Sequence, residues 1–311
     1  MAKLGKTDLD VSGLCLGGNI LGWTLDDGAA FAVLDAFAAA GGNFLDTADV
    51  YSLWVPGNTG GDSERVLGRW MKARGNRESM VVSTKVGMMP GRLGLSPANL
   101  RTSVEGSLKN LGTDYIDLYY AHADDPHTPM EDTLAAFDAL AREGKIRYFG
   151  ASNFTGPRLA QALTVSDREG LARYSVLQNQ YNLMERAEYE RDVMPLLERE
   201  GVAGVPFYSL AHGFLSGKYR PGAVVQSIWA GAAAEYRNAR GYKVIETLDE
   251  IAAAHKTSVA AASLAWMAAQ PTIAAPVASA SKPEQVLELM TFTELVLTAD
   301  ELSALDAVSA Y

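Results

Sequence analysis

Along the chain, short apolar runs of four to seven residues alternate with longer stretches in which apolar side chains return every three or four positions. The short runs read as buried strands and the longer stretches as amphipathic helices. Eight runs stand out: Gly13–Gly17, Asn43–Asp46, Met80–Lys85, Ile116–His122, Tyr148–Ser152, Val176–Gln180, Val202–Tyr208 and Ile273–Ala278. Helical periods fall near Asp27–Ala40, Ser63–Arg74, Pro97–Leu111, Met130–Glu143, Gly156–Glu169, Glu188–Glu200, Tyr242–His255 and Ser258–Ala269. Such alternation predicts a parallel sheet, because parallel neighbours need a crossover long enough to return the chain to the same edge. Punctuation agrees: Ser96 before Pro97 opens one helix, and Gly144 after Arg142 and Glu143 closes another. Ahead of the first run, Gly5-Lys6 between Leu4 and Thr7–Val11 predicts a short hairpin. Two connections, Ser52 to Asp62 and Ser209 to about Arg240, exceed ordinary loop length and are expected to serve as lids or binding loops.

Length decides the domain count only with this pattern in hand. A chain of 311 residues could hold two domains, at roughly 150 residues each. No linker, charge run or low-complexity tract divides it, so residues 1–311 are expected to form one α/β barrel, with the surplus over about 250 residues in loops and terminal additions. A composition 48% hydrophobic and 21% charged excludes a disordered chain. The net charge of −10 opposes nucleic acid and anionic membrane surfaces as partners. Cys15, the single cysteine, excludes an internal disulfide and a cysteine-rich zinc site. The four histidines form neither H-x-H nor H-E-x-x-H, so no metal site is expected. MAKLGKTDLDVSG contains no apolar core of a signal peptide, and the apolar stretch Val259–Ala269 is too short to span a bilayer; the expectation is a soluble cytoplasmic protein. No G-x-G occurs, which removes the Rossmann fingerprint, and the G-x-S-x-G of α/β-hydrolases is also missing.

In such a barrel the reactive groups sit where strands end and the following loops begin. Asp46, Lys85 and His122 each end an apolar run, and Tyr51 follows Asp46 within LDTADVYS. Any one of them could be an ordinary capping, packing or solvated residue. Together they are harder to dismiss, because a lysine at the end of a buried strand needs a counter-charge or loses its proton. Asp46 would supply the charge. A tyrosine beside that ammonium is expected to have its pKa lowered and to act as a proton donor. Protonating a carbonyl oxygen while hydride reaches the carbon suits this set, with the hydride coming from a cofactor.

The segments GGNFLDTADVY, VVSTKVG, DLYYAH, YFGASNF, VLQNQYNLMER, FYSLAHGFLSGKY and SASKPEQVLEL, in this order from about residue 4 to residue 290, resemble the aldo-keto reductase superfamily. The resemblance implies a (β/α)8 TIM barrel and an NADPH-dependent oxidoreductase that transfers hydride directly to a carbonyl carbon without a metal. It implies Tyr51 as general acid in reduction and base in alcohol oxidation, Lys85 as the group lowering its pKa, Asp46 as the holder of Lys85, and His122 as the residue orienting the carbonyl.

It also implies a cofactor site for NADPH or NADP+. Asp46, Ser152, Asn153 and Gln178 match positions at the nicotinamide carboxamide end, with Gly18 and Asn19 approaching from the first loop. Phe207 falls at the aromatic position that stacks on the nicotinamide; an alignment slipped by one residue gives that place to Tyr208. Tyr208 stands where serine is more usual, and Ser209 where proline is. Leu210 and Lys218 would border the pyrophosphate. Ser279, Ser281, Lys282, Gln285 and Glu288 match the adenosine end, with Lys282 beside Ser281 suited to a 2′-phosphate. Leu289 stands where the family usually has asparagine, which removes one adenine contact. Lys218 and Lys282 would supply locally the attraction for an anion that the whole chain lacks.

Trp23, Trp54 and Trp229 fall in or near three strand-to-helix loops and are expected, with Met88 and its neighbour Met89, to wall an apolar substrate pocket. No extra Arg or Lys cluster suggests an anionic substrate, so uncharged aldehydes, ketones or secondary alcohols are the expected small-molecule partners. Two other readings stay open: a cofactor-binding regulatory module resembling potassium-channel β subunits, and a metal-dependent barrel hydrolase, which lacks histidine ligands.

Overall fold

In the computed structural model, which describes residues 1–311, eight strands form at the eight apolar runs. They are β1 (Cys15–Gly17), β2 (Phe44–Asp46), β3 (Val81–Val86), β4 (Ile116–Ala121), β5 (Ile146–Ser152), β6 (Val176–Gln178), β7 (Ala203–Gly204) and β8 (Val277–Ala278). Their order is β7-β6-β5-β4-β3-β2-β1-β8, every pairing parallel. The two ends of this order meet at a parallel bridge between Gly204 and Ile273. There the Gly204 N–H donates to the Thr272 carbonyl at 2.8 Å and the Ala274 N–H to the Gly204 carbonyl at 2.9 Å. The result is an α/β fold on one curled eight-stranded sheet, consistent with the expected (β/α)8 barrel.

β7 and β8 are much shorter than the runs Val202–Tyr208 and Ile273–Ala278. Pro206 and Pro276 lie in those runs and have no N–H to give to a ladder. Their carbonyls still accept, from Val277 N–H at 2.8 Å and Cys15 N–H at 3.0 Å respectively.

Side chains alternate along each strand, so every second one points into the curl. Cys15, Phe44, Val81, Leu118, Val176 and Ala203, with Ala275 just ahead of β8, form one apolar layer, closed from outside by Leu4, Leu9 and Val11. The last three belong to the expected N-terminal hairpin, in which Ala2–Lys3 pairs antiparallel with Asp10–Val11. It covers the end where the strands start and leaves the other end open for chemistry. One inward position has no room for a side chain: a Cβ on Gly150 would come within 2.7 Å of the Tyr120 ring.

Helices α1 (Asp27–Ala39), α2 (Asp62–Arg74), α3 (Pro97–Leu111), α4 (Met130–Arg142), α5 (Gly156–Glu169), α6 (Met194–Glu200), α7 (Ala239–His255) and α8 (Val259–Ala268) realise the eight helical periods. They pack the larger core against the sheet through residues such as Phe37, Trp70, Val104, Phe137, Leu163 and Trp266. Ser96 caps α3 as expected, accepting from the Asn99 N–H. α7 starts three residues early because Asn238 caps it through the Gly241 N–H. α6 is short: its first turns are a wider helical segment, Tyr189–Val193, ahead of Pro195, which cannot donate back. Beyond the eight units lie α9 (Pro283–Met290), α10 (Ala299–Val308) and a small hairpin pairing Met88–Met89 with Arg92–Leu93, none foreseen from periodicity. No helix is long and apolar enough to cross a membrane.

Candidate active site

The register sets the polar strand ends side by side: Gly17 beside Asp46, Asp46 beside Ser83, Lys85 beside Tyr120, and Gln178 beside Ser152. Lys85 is wholly buried, and its ammonium donates to Asp46 Oδ2 at 2.5 Å, the Thr47 carbonyl at 2.8 Å and the Tyr51 hydroxyl at 3.0 Å. Three hydrogens thus have three acceptors. Asp46 Oδ1 accepts from Ser83 Oγ at 2.7 Å and Gln178 Nε2 at 3.1 Å. Because the Tyr51 hydroxyl accepts from Lys85, its own hydrogen is left for a partner in the mouth. The His122 ring stands edge-on to Tyr51, centroids 5.9 Å apart. The four residues that the sequence brought forward as a set are therefore one cluster.

Their electrostatics correct one expectation. Tyr51 is not lowered but raised above the usual phenol value. Burial is the largest influence and Asp46 adds to it, while the Lys85 charge and hydrogen bond pull the other way without prevailing. Lys85 is pushed down by burial, yet Asp46 and Tyr51 together hold it above the ordinary lysine value. It stays an ammonium. Burial, helped by the Lys85 charge, pushes His122 down to about 3, so its imidazole is neutral near pH 7. His122 Nδ1 is buried without a partner, which leaves Nε2 as the nitrogen open to a bound molecule.

The residues expected at the nicotinamide end surround this cluster. Asn153, in a left-handed conformation with φ 57°, donates from Nδ2 to the His122 carbonyl at 2.8 Å and to Ser152 Oγ at 3.1 Å. Gly18 donates its N–H to the Asp46 carbonyl at 2.7 Å, so close that a Cβ on Gly18 would lie 2.9 Å from that oxygen. Ser279 Oγ lies 2.9 Å from the Gly17 carbonyl and 2.7 Å from Asn19 Oδ1, joining the last strand to the first loop. Phe207 continues the line of β7 through its N–H to the Asn179 carbonyl at 3.1 Å, whereas Tyr208 turns off with φ 51°. Ser209 is buried with its hydroxyl on the Pro206 carbonyl at 2.9 Å, and Leu210 is half-buried.

The residues expected at the pyrophosphate and adenosine ends of a cofactor make no contact with the four-residue cluster. Lys218 is exposed, its ammonium 5.2 Å from the Tyr219 ring centre. Lys282 is exposed at the start of α9, beside Ser281, whose N–H donates to Gln285 Oε1 at 2.8 Å. Glu288 is exposed, while Leu289 is buried in the main core as a packing residue.

Three tryptophans from three loops meet over the mouth. Trp23 lies edge-on to Trp54 at 5.2 Å and to Trp229 at 6.0 Å. Trp54 is held there because Ser52 Oγ donates to the Leu21 carbonyl and Asn58 Nδ2 to the Gly22 carbonyl, fastening the second loop onto the first. Met88 is exposed on its hairpin, and Met89 is buried. Sequence reasoning placed Tyr208 on the cofactor rather than in this wall, and named neither His212 in the wall nor Ser83 beneath it. Tyr208 and His212 continue it, their rings 4.0 Å apart, with Trp229 6.3 Å from Tyr208 and 5.8 Å from His212. Ser83 was legible in principle, being two residues before Lys85 and so on the same strand face.

Comparison with known proteins agrees with this geometry. The model of the Aldo/keto reductase family matches residues 13–310. A "Probable voltage-gated potassium channel subunit beta" of Oryza sativa subsp. japonica is 32% identical over 98% of this chain and 95% of its own length. An aryl-alcohol dehydrogenase of Pestalotiopsis microspora is 30% identical over 95% of this chain and 78% of its own. An "Uncharacterized oxidoreductase", YrpG of Bacillus subtilis, is 32% identical over 98% and 94%. With the buried Asp46–Lys85–Tyr51 chain at the open end of an eight-stranded parallel sheet and a family match across nearly the whole length, the chain belongs to the aldo/keto reductase family.

Proposed function

We propose that this oxidoreductase reduces uncharged aldehydes or ketones to alcohols, reversibly, with NADPH. One observation carries the proposal: the hydrogen-bonded line from Asp46 through Lys85 ends on the Tyr51 phenol, whose ring stands beside a neutral imidazole. The proposal takes residues 1–311 as a single closed barrel domain working in the cytoplasm.

The donor set suits a nicotinamide dinucleotide. Ser152, Asn153 and Gln178 offer hydroxyl and amide groups complementary to a carboxamide, Phe207 offers a flat face at the end of β7, and Lys218 and Lys282 offer cations for phosphates. Tyr208, turned into the aromatic wall, is better suited to the substrate side. A dinucleotide held by these residues would supply the hydride for the carbonyl carbon. The protein's own residues handle the oxygen. His122 Nε2, as the protonated nitrogen of a neutral ring, holds the carbonyl oxygen in place, and Tyr51 gives that oxygen its proton. Lys85 then faces a phenolate, which its charge stabilises, and Asp46 keeps the ammonium aimed. Because burial holds Tyr51 protonated at rest, it starts in the form that reduction needs; alcohol oxidation must first take its proton away.

The wall of Trp23, Trp54, Trp229 and Tyr208 favours substrates with a flat apolar body. The relative named for aryl alcohols supports that class. Tyr51→Phe is expected to lower kcat by about 10²–10⁴ while NADPH binding, followed by quenching of protein fluorescence, persists. Near-full turnover in that variant would remove Tyr51 from the proton transfer. The relative with a channel-subunit name keeps a second function in view, a cofactor-binding module serving a partner protein. Tight NADPH binding without its consumption across a carbonyl panel would favour the module.

A further inference from the structure

Asp49 lies three residues beyond Asp46 and is nearly fully buried, yet neither of its carboxyl oxygens has a hydrogen-bond partner. No step above uses it. The charged and titratable groups that act on it come from α2, β3, β4 and the Met88–Leu93 hairpin. From α2 comes Glu64, wholly buried, whose oxygens already accept from Thr84 Oγ1 at 2.6 Å and Asn110 Nδ2 at 2.8 Å. β3 contributes Lys85, the Met88–Leu93 hairpin contributes exposed Arg92, and β4 contributes Tyr119, whose hydroxyl is also buried without a partner. Burial first, then the neighbouring Glu64, drives the Asp49 carboxyl up to about 7, against weaker pulls from Arg92, the Val50 N–H and Lys85. An ionised Asp49 in this pocket would be a buried charge to which neither nearby donor, the Val50 N–H or the unpartnered Tyr119 hydroxyl, is hydrogen-bonded, a costly state unless something moves.

What can move is set by the backbone. The Asp49 N–H donates to the Lys85 carbonyl at 3.2 Å, and the Asp49 carbonyl accepts from the Gly61 N–H at 2.6 Å. Asp49 thus ties the start of the segment 50–60 to β3 and the end of that segment back to itself, while Ser52 and Asn58 fasten its middle to the first loop, and the segment carries Tyr51 and Trp54.

We propose that Asp49 is a positioning residue, which as a neutral acid lets the 50–60 segment close with Tyr51 on Lys85 and on ionising releases that segment. The proton leaves the Asp49 carboxyl for solvent, and no other group changes charge. The bare carboxylate needs donors that its closed position does not supply: Glu64 offers only acceptors already in use, and the Tyr119 hydroxyl is not bonded to it. Admitting water or Arg92 shifts the segment, drawing Tyr51 off Lys85 and Trp54 off Trp23. The consequence for turnover rests on Tyr51 being the proton donor; the movement itself does not.

The test is a tryptophan-fluorescence titration of the free, full-length protein from pH 5 to 9, run beside a pH profile of kcat and KM. The wild type should show one transition near neutrality. In Asp49→Asn, which keeps the shape and removes the titration, it should vanish. Arg92→Ala, a change at an exposed residue, should move the midpoint up, and Glu64→Gln should move it down. Above the midpoint kcat should fall on the order of tenfold per pH unit, with the NADPH KM little changed, and this fall should be missing in Asp49→Asn. A transition that survives in Asp49→Asn, or a midpoint indifferent to Arg92→Ala, overturns the inference. If no carbonyl is reduced but the Asp49-dependent transition is present, the inference stands and the proposed function falls; carbonyl reduction without the transition gives the reverse.

Discussion

Buried single residues in this protein pull its pH dependence in opposite directions. His122 is neutral in the fold down to about pH 3, whereas an unfolded histidine takes up its proton near 6.5. Between those values the unfolded chain binds the extra proton, so this residue makes stability fall as pH falls from about 6.5 towards 3. Asp49 does the reverse. Protonated in the fold up to about 7 but ionised near 3.9 when unfolded, it makes stability fall as pH rises through that window. The two slopes offset each other in the wild type and separate only by substitution. Urea unfolding of His122→Gln and wild type at pH 7.5, 6 and 5 should show the variant gaining on the wild type as pH drops, by up to about 1.4 kcal/mol per pH unit. A difference independent of pH would mean that His122 is not held neutral. The contrast between these residues also shows what a sequence can reveal. Asp46, Lys85 and His122 were legible because a polar residue at the end of an apolar run is conspicuous. Asp49, a loop residue between Ala48 and Val50 that ends no apolar run, carries no such mark, and the balance that raises rather than lowers Tyr51 depends on burial that only packing determines.

Elements were legible where local chemistry and tertiary packing agree. The eight helical periods became helices, but α9 and α10 were overlooked although α10 announces itself. Thr298 accepts from the Glu301 N–H while the Glu301 side chain accepts from the Thr298 N–H, the reciprocal capping box of the S/T-x-x-E pattern. That signal is local and precedes any apolar periodicity, so a search by hydrophobic period passes it by. Thr298→Ala should cost about 1 kcal/mol of stability, read as a lower midpoint in urea with unchanged slope. An unchanged midpoint would show α10 to be held by packing through Leu305 alone. The strands tell the opposite story. β7 and β8 shrink from six or seven expected residues to two because prolines interrupt ladders that apolarity alone would extend. Their segments nevertheless bring the sheet's two edges together, through bridges and single hydrogen bonds.

At the scale of the whole molecule, the charge of −10 and the proposed cofactor, itself an anion, pull against each other. A global field of that sign slows the approach of NADPH, so the local cations must more than offset it. Lys282 is exposed at the start of α9, outside any ion pair within the protein, and next to the Ser281–Gln285 cap that stiffens its backbone. Lys218 is likewise exposed and outside any ion pair within the protein. The two differ in what they should recognise. A cation at the pyrophosphate serves NADPH and NADH alike, whereas one at the 2′-phosphate meets a group that NADH lacks. Lys282→Ala should therefore raise the KM for NADPH about tenfold or more, the weight of one charge-assisted hydrogen bond, and leave that for NADH nearly unchanged. Lys218→Ala should weaken both by similar factors. Added salt should erode the NADPH preference of the wild type, since screening acts on the extra phosphate charges, and should erode it less in Lys282→Ala. Equal loss for the two cofactors in Lys282→Ala would take that lysine away from the 2′-phosphate and leave the discrimination to residues not yet named.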